Sequence, residues 1–215
     1  MDSQDTLQYQ INIPERMMIF IDARNIYEAE KEYNLRAEQH FVFGYKEMIN
    51  FFAKKYKVIR GYFYDGAPHP SQRTPEREQF FRDLRQNGIT LRLKEIDFTA
   101  ISKPSQKGVD IFLTADMISL AYENAYDIAV ILSGDGDYVA LIDLVKSKGK
   151  KVWVLSFDSA LSPKLRECAD KVLVIDRMLD VFGKQRLIKP DMPNQNKQKA
   201  DKKSENLINN KTPHT

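Results

Sequence analysis

Ile128-Ala129-Val130-Ile131-Leu132 is an unbroken apolar run that stops at Ser133-Gly134-Asp135-Gly136-Asp137, two carboxylates separated by one glycine. A short run without polar alternation suits a strand covered on both faces, as in the middle of a parallel sheet. In open sheets of that kind ligands bind in the crevice beyond the carboxyl ends of the strands. Two Asp side chains at such an end offer hard oxygen donors of the kind Mg²⁺ or Mn²⁺ takes. Gly136 is expected to supply the backbone freedom that aims both.

The same grammar recurs along the chain. Residues 17–21 form an apolar run ending at Asp22, and residues 58–64 form another ending at Asp65. Further strand candidates are 90–93, 152–155 and 172–175, and helical patterns fill the intervals at 45–55, 74–86, 109–124, 138–148 and 163–168. Thr74-Pro75 reads as an N-cap followed by proline at the first helical position, while Gly88 and Gly149 read as helix stops. Residues 28–44 read as an excursion, part helix and part loop, whose Phe41, Phe43 and Tyr45 are expected to pack into the core. Regular alternation of strand and helix predicts an α/β fold of three layers, with a mainly parallel central sheet and right-handed crossovers. Strands ending at Asp22, Asp65 and Asp135 would line carboxylates along one edge.

With 215 residues the chain has length for one buried domain with appendages. Residues 1–16 read as a lead-in, 17–183 as the domain and 184–215 as a basic, disordered tail: eight Lys/Arg stand there against three acidic residues, among Asn, Gln and Pro. Such a tail suits a sequence-independent arm for a phosphate backbone, or a plain solubilising segment. No apolar run reaches membrane-spanning length, the first residues lack a signal-peptide pattern, and Cys168 is the single cysteine. These features favour a soluble protein of a reducing cytoplasm, without membrane association.

Each carboxylate also has an ordinary explanation. Asp22 could cap the helix that follows it, with Asn25 one turn on. Asp110 falls in the first turn predicted after Lys107-Gly108-Val109, where the helix dipole favours an acid. Asp116 lies mid-helix, turned roughly 240° from Asp110 in an ideal helix, so both reach one site only if Asp110 points inward from the fraying start. Ser133, Asp135 and Asp137 together exceed what one helix start requires. His40, His69 and His214 lack zinc spacing, and neither a Gly-x-Ser-x-Gly elbow nor a Walker loop occurs.

Phe20-Ile21-Asp22-Ala23-Arg24-Asn25, Lys107-Gly108-Val109-Asp110 with Asp116, and Leu132-Ser133-Gly134-Asp135-Gly136-Asp137-Tyr138 resemble, in order and spacing, the three signatures of LabA-like NYN domains of the PIN-like nuclease superfamily. The resemblance spans residues 17–176 and departs from the family at Ala23-Arg24, where small or glycine residues are usual. It implies a Rossmann-like PIN-type sheet and a metal-dependent ribonuclease site. Asp22, Asp110, Asp135 and Asp137 would be catalytic and hold Mg²⁺ or Mn²⁺, with Asp116 a further ligand. Arg24, Asn25, Lys107 and Ser133 would contact water or substrate. The expected partner is single-stranded or structured RNA, and self-association into a homo-oligomer is compatible with the pattern. The alternative is an RNA-binding regulatory module on the same fold without turnover.

Overall fold

In the computed structural model residues 13–96 and 108–184 are described. Lys107, and the tail from Gln185 onward, lie outside them.

Among the described residues six strands form one sheet in the order β3-β2-β1-β4-β5-β6, comprising β1 Arg16–Asp22, β2 Lys57–Ala67, β3 Ile89–Glu95, β4 Ile128–Leu132, β5 Lys151–Ser156 and β6 Lys171–Val174. Every strand pair is parallel, so the sheet is wholly rather than mainly so. The helices are α1 Ala23–Ala37, α2 Tyr45–Ala53, α3 Pro75–Gln86, α4 Val109–Tyr122, α5 Val139–Ser147, α6 Pro163–Cys168 and α7 Leu179–Phe182.

The pattern of burial explains the apolar runs. Residues of β4 are buried throughout, whereas the edge strands β3 and β6 are partly exposed. Alternate residues of β1 serve opposite layers. Met17, Ile19 and Ile21 pack with Ile26, Met48, Phe52, Phe81 and Phe182, from α1, α2, α3 and α7. Met18 and Phe20 pack with Leu113, Met117, Ile142 and Leu165, from α4, α5 and α6. Phe41 and Phe43 are buried in the first layer, as expected.

The order reverses direction between β1 and β4, which pair from Met17↔Ile128 to Ile21↔Leu132. That switch point opens a crevice at the carboxyl ends of exactly the two strands that deliver Asp22 and the Ser133–Asp137 loop.

One expectation is corrected. Strand β2 does not end at Asp65: it continues to Ala67 because β3 pairs with it through Asp65↔Leu93, Gly66↔Lys94 and Ala67↔Glu95. Residues 28–44 are part helix and part loop as expected, the helical part being the end of α1, which starts directly after Asp22 and runs to Ala37 before the loop to α2.

Candidate active site at the β1–β4 switch point

Asp22 ends β1 and caps α1. Its Oδ1 accepts from the Asn25 backbone N–H at 3.2 Å. Its Oδ2 accepts from the hydroxyls of Ser133 at 3.3 Å and Tyr138 at 3.2 Å. The capping and functional readings of Asp22 are therefore compatible, because the cap occupies one oxygen and the other faces the β4 loop.

That loop is held from both sides. Asn25 Oδ1 accepts from the Gly134 N–H at 2.9 Å, tying α1 to the end of β4. Ser133, fully buried, also accepts from the Asp135 N–H at 3.2 Å, and Asp135 Oδ1 accepts from the Asp137 N–H at 3.0 Å, capping a single 3-10 turn before α5. On the far side the Gly134 carbonyl accepts from the Ser162 N–H at 2.9 Å. Asn25 and Ser133, expected to touch water or substrate, bond here to the Gly134 N–H and to Asp22 and the Asp135 N–H respectively.

The glycines of the loop act by closeness rather than freedom. Gly134 and Gly136 both lack a positive φ, so the expectation that Gly136 supplies special backbone freedom is corrected. A Cβ on Gly134 would collide with the Ala160 carbonyl oxygen, and one on Gly136 would lie 2.8 Å from Ser162 Oγ. The 156–162 segment presses on the loop and leaves no room for a side chain.

Burial is the largest influence on Asp22 and raises its pKa, and the negative charge of Asp135 raises it further. The cap and the two hydroxyls pull in the opposite direction without reversing the shift. Burial likewise raises the pKa of Tyr138, reinforced by the charges of Asp22, Asp110 and Asp135. Three of the expected carboxylates therefore act on one phenol.

Asp110 accepts from the Gly108 N–H at 3.0 Å at the start of α4. Asp137 is exposed on the turn. Asp116 stands apart: its Oδ2 accepts from Tyr64 Oη at 3.0 Å and Arg92 Nε at 2.9 Å, forming an ion pair on the β2–β3 side of α4. Asp65 lies at 7% exposure within β2 and pairs with Arg77 of α3. Among the described residues no three His, Cys, Asp or Glu side chains are drawn close enough to form a complete metal cage. Asp22 and Asp135 share a cleft of about 450 Å³ with Arg24, Asn25, Glu28 and Glu32.

Sequence reasoning did not single out Tyr138. The available signal was an aromatic residue with a polar tip immediately after the second acid, where the next helix begins.

Comparison with known proteins agrees with the fold. The NYN domain model matches residues 16–176. The chain is similar to the low amplitude and bright protein LabA of Synechococcus elongatus, with 28% identity over 168 residues covering 74% of this chain and 83% of that protein. It is also similar to the uncharacterized protein y4oD of Sinorhizobium fredii, 36% identical over 93 residues, which cover 42% of each chain. A crystal structure of a protein of unknown function, VPA0982 from Vibrio parahaemolyticus, superposes with a TM-score of 0.65 at 25% identity, covering 80% of this chain and 97% of that one. The chain belongs to the NYN domain family, a nuclease-like branch of the PIN-like superfamily.

Proposed function

We propose that the protein is a metal-dependent phosphodiesterase that hydrolyses RNA at the β1–β4 switch point. The observation that carries this reading is that Asp22 and Asp135 line one cleft and the charge of Asp135 acts on Asp22, with no cation of the described residues among the principal influences on Asp22. A half-buried carboxylate beside a second acid is unfavourable, and a divalent cation compensates it.

The donor set fits Mg²⁺ or Mn²⁺, which prefer carboxylate oxygen and water. Asp22 and Asp135 would hold the ion, with Asp110 and Asp137 contributing from the rim, while Asp116 is committed to Arg92. When bound, the ion supplies water activation near neutral pH and neutralises charge developing on the phosphate. The chain's own groups do the positioning. Ser133 and Tyr138 hold Asp22 by its Oδ2, and Asn25 fixes the loop that carries Asp135. Arg24 lines the cleft and makes no ion pair or hydrogen bond with the described residues, leaving its guanidinium for an RNA phosphate. Lys107 would contribute in the same sense, and the basic tail would add sequence-independent affinity.

The test is incubation of end-labelled single-stranded and structured RNA with the protein and Mg²⁺ or Mn²⁺, with chelator and the Asp135→Asn variant as controls. Cleavage that needs both the ion and Asp135 supports hydrolysis. RNA binding without cleavage in any divalent ion would make the chain a regulatory RNA-binding module.

A further inference from the structure

A larger cleft of about 620 Å³ lies beside the carboxylates, between α1, β2 and α3. Arg24 and Glu28, one helical turn apart on α1, line both clefts, so the two are contiguous over the α1 surface. The volume is in the range of small-molecule sites.

Its walls differ from those of the carboxylate cleft. Tyr45 meets Phe63 and Phe80 edge to face, with ring centroids 5.6 and 6.0 Å apart. The floor is the buried Asp65 with its partner Arg77, whose guanidinium lies 4.8 Å from the Phe81 ring centroid. This ion pair places acceptor and donor groups side by side. Asp22 lies near enough for its charge to act on Asp65, so floor and carboxylate edge are electrostatic neighbours. At the rim Tyr27 is 62% exposed, without a ring contact or hydrogen bond to the described residues. Arg24 sits three residues before it, on the same face of α1.

We propose that this cleft receives the base of the nucleotide next to the one held at the carboxylates, stacked on Tyr27, with its edge toward Asp65 and Arg77 and its phosphate on Arg24. The proposal rests on the reading of the β1–β4 crevice as an RNA site but does not require hydrolysis. An exposed aromatic beside a guanidinium that has no partner among the described residues is the chemistry of single-strand binding, in which bases stack and phosphates are neutralised. A base enters such a cleft only when it is not stacked inside a duplex. The protein therefore prefers single-stranded RNA at this position.

The same nucleotide chemistry is offered by free nucleotides and by a strand, and the experiment separates them. Fluorescently labelled single-stranded RNA and its duplex are titrated into full-length Asp135→Asn protein, so that the strand stays intact. Each titration is repeated with Tyr27→Ala and Tyr27→Trp added, and the strand is then competed with the four 5′-mononucleotides. The expected results are a weakening of single-strand binding by about 10-fold or more in Tyr27→Ala, retention in Tyr27→Trp, little change for the duplex, and displacement of the strand by mononucleotides. Equal single-strand affinity with and without Tyr27 overturns the proposal, as do mononucleotides that bind without displacing the strand, which would mark a free-nucleotide site. Failure of the hydrolysis reading looks different: RNA uncut by otherwise wild-type protein, with Tyr27-dependent binding intact.

Discussion

The Tyr138 hydroxyl donates to Asp22 Oδ2 across 3.2 Å, joining the start of α5 to the tip of β1. This bond lowers the pKa of Asp22 against the larger effect of burial. Tyr138→Phe removes it and pushes the Asp22 pKa further up. Urea unfolding near neutral pH should show a loss of about 1–3 kcal/mol, as for a hydrogen bond to a charged group. The acid limb of RNA cleavage should move to higher pH.

Asp22→Asn should separate stability from activity. The folded-state pKa of Asp22 is raised, so its ionisation favours the unfolded chain. That penalty is absent below the ordinary Asp pKa of about 4 and is felt in full once pH has risen through the folded value. Asn keeps the N-cap through its oxygen, and its NH2 donates to the Ser133 and Tyr138 hydroxyls in place of accepting from them. Thermal melts of metal-free protein should show the variant more stable than the parent at pH 7, with the difference vanishing near pH 3, while cleavage is abolished. A lower melting point at pH 7 would contradict this.

The Asp65–Arg77 pair should respond asymmetrically. Arg77→Ala leaves a buried carboxylate without its partner, whereas Asp65→Asn leaves a guanidinium whose side chain is 39% exposed. The expected cost of Arg77→Ala at pH 7 is about 1–3 kcal/mol, less than for a fully buried pair because water reaches the arginine. Asp65→Asn should cost less. Burial raises the Asp65 pKa and Arg77 opposes that rise, so the arginine variant regains its deficit on acidification as Asp65 takes up a proton. Denaturant melts of both variants at pH 7 and pH 4 give the comparison.

Gly134 and Gly136 should tolerate a methyl group unequally. The Cβ of Gly134→Ala meets the Ala160 carbonyl, which moves only with its backbone, whereas that of Gly136→Ala meets a serine hydroxyl that can rotate. Gly134→Ala should cost about 3 kcal/mol or more and Gly136→Ala about 1 kcal/mol in equilibrium unfolding.

The fold was legible because its evidence is local. Apolar runs without alternation mark strands buried on both faces, and Thr74-Pro75 marks a helix start, with Thr74 capping the Arg77 N–H at 3.3 Å. The end of β2 was misread because its extension depends on pairing with β3, which nothing within residues 57–67 reveals. Site residues fared similarly. Asp22 and Asp135 were visible as acids at strand ends. The commitment of Asp116 to Tyr64 and Arg92, 52 and 24 residues away, exists only in three dimensions. The reason for glycine at 134 and 136 was not legible locally, because the pressure comes from Ala160 and Ser162, across the loop.

Binding of Mn²⁺ to the carboxylate edge is the most direct test, and electron paramagnetic resonance of free Mn²⁺ during titration with metal-free protein measures it. The account predicts saturable binding that weakens markedly in Asp22→Asn and in Asp135→Asn and is untouched by Asp116→Asn. Binding to the wild type stabilises the fold by about 2.7 kcal/mol at an ion concentration 100-fold above Kd. A wild-type protein that leaves the free Mn²⁺ signal unchanged, or one whose binding survives both the Asp22 and Asp135 substitutions, would contradict the assignment of this edge as a metal site.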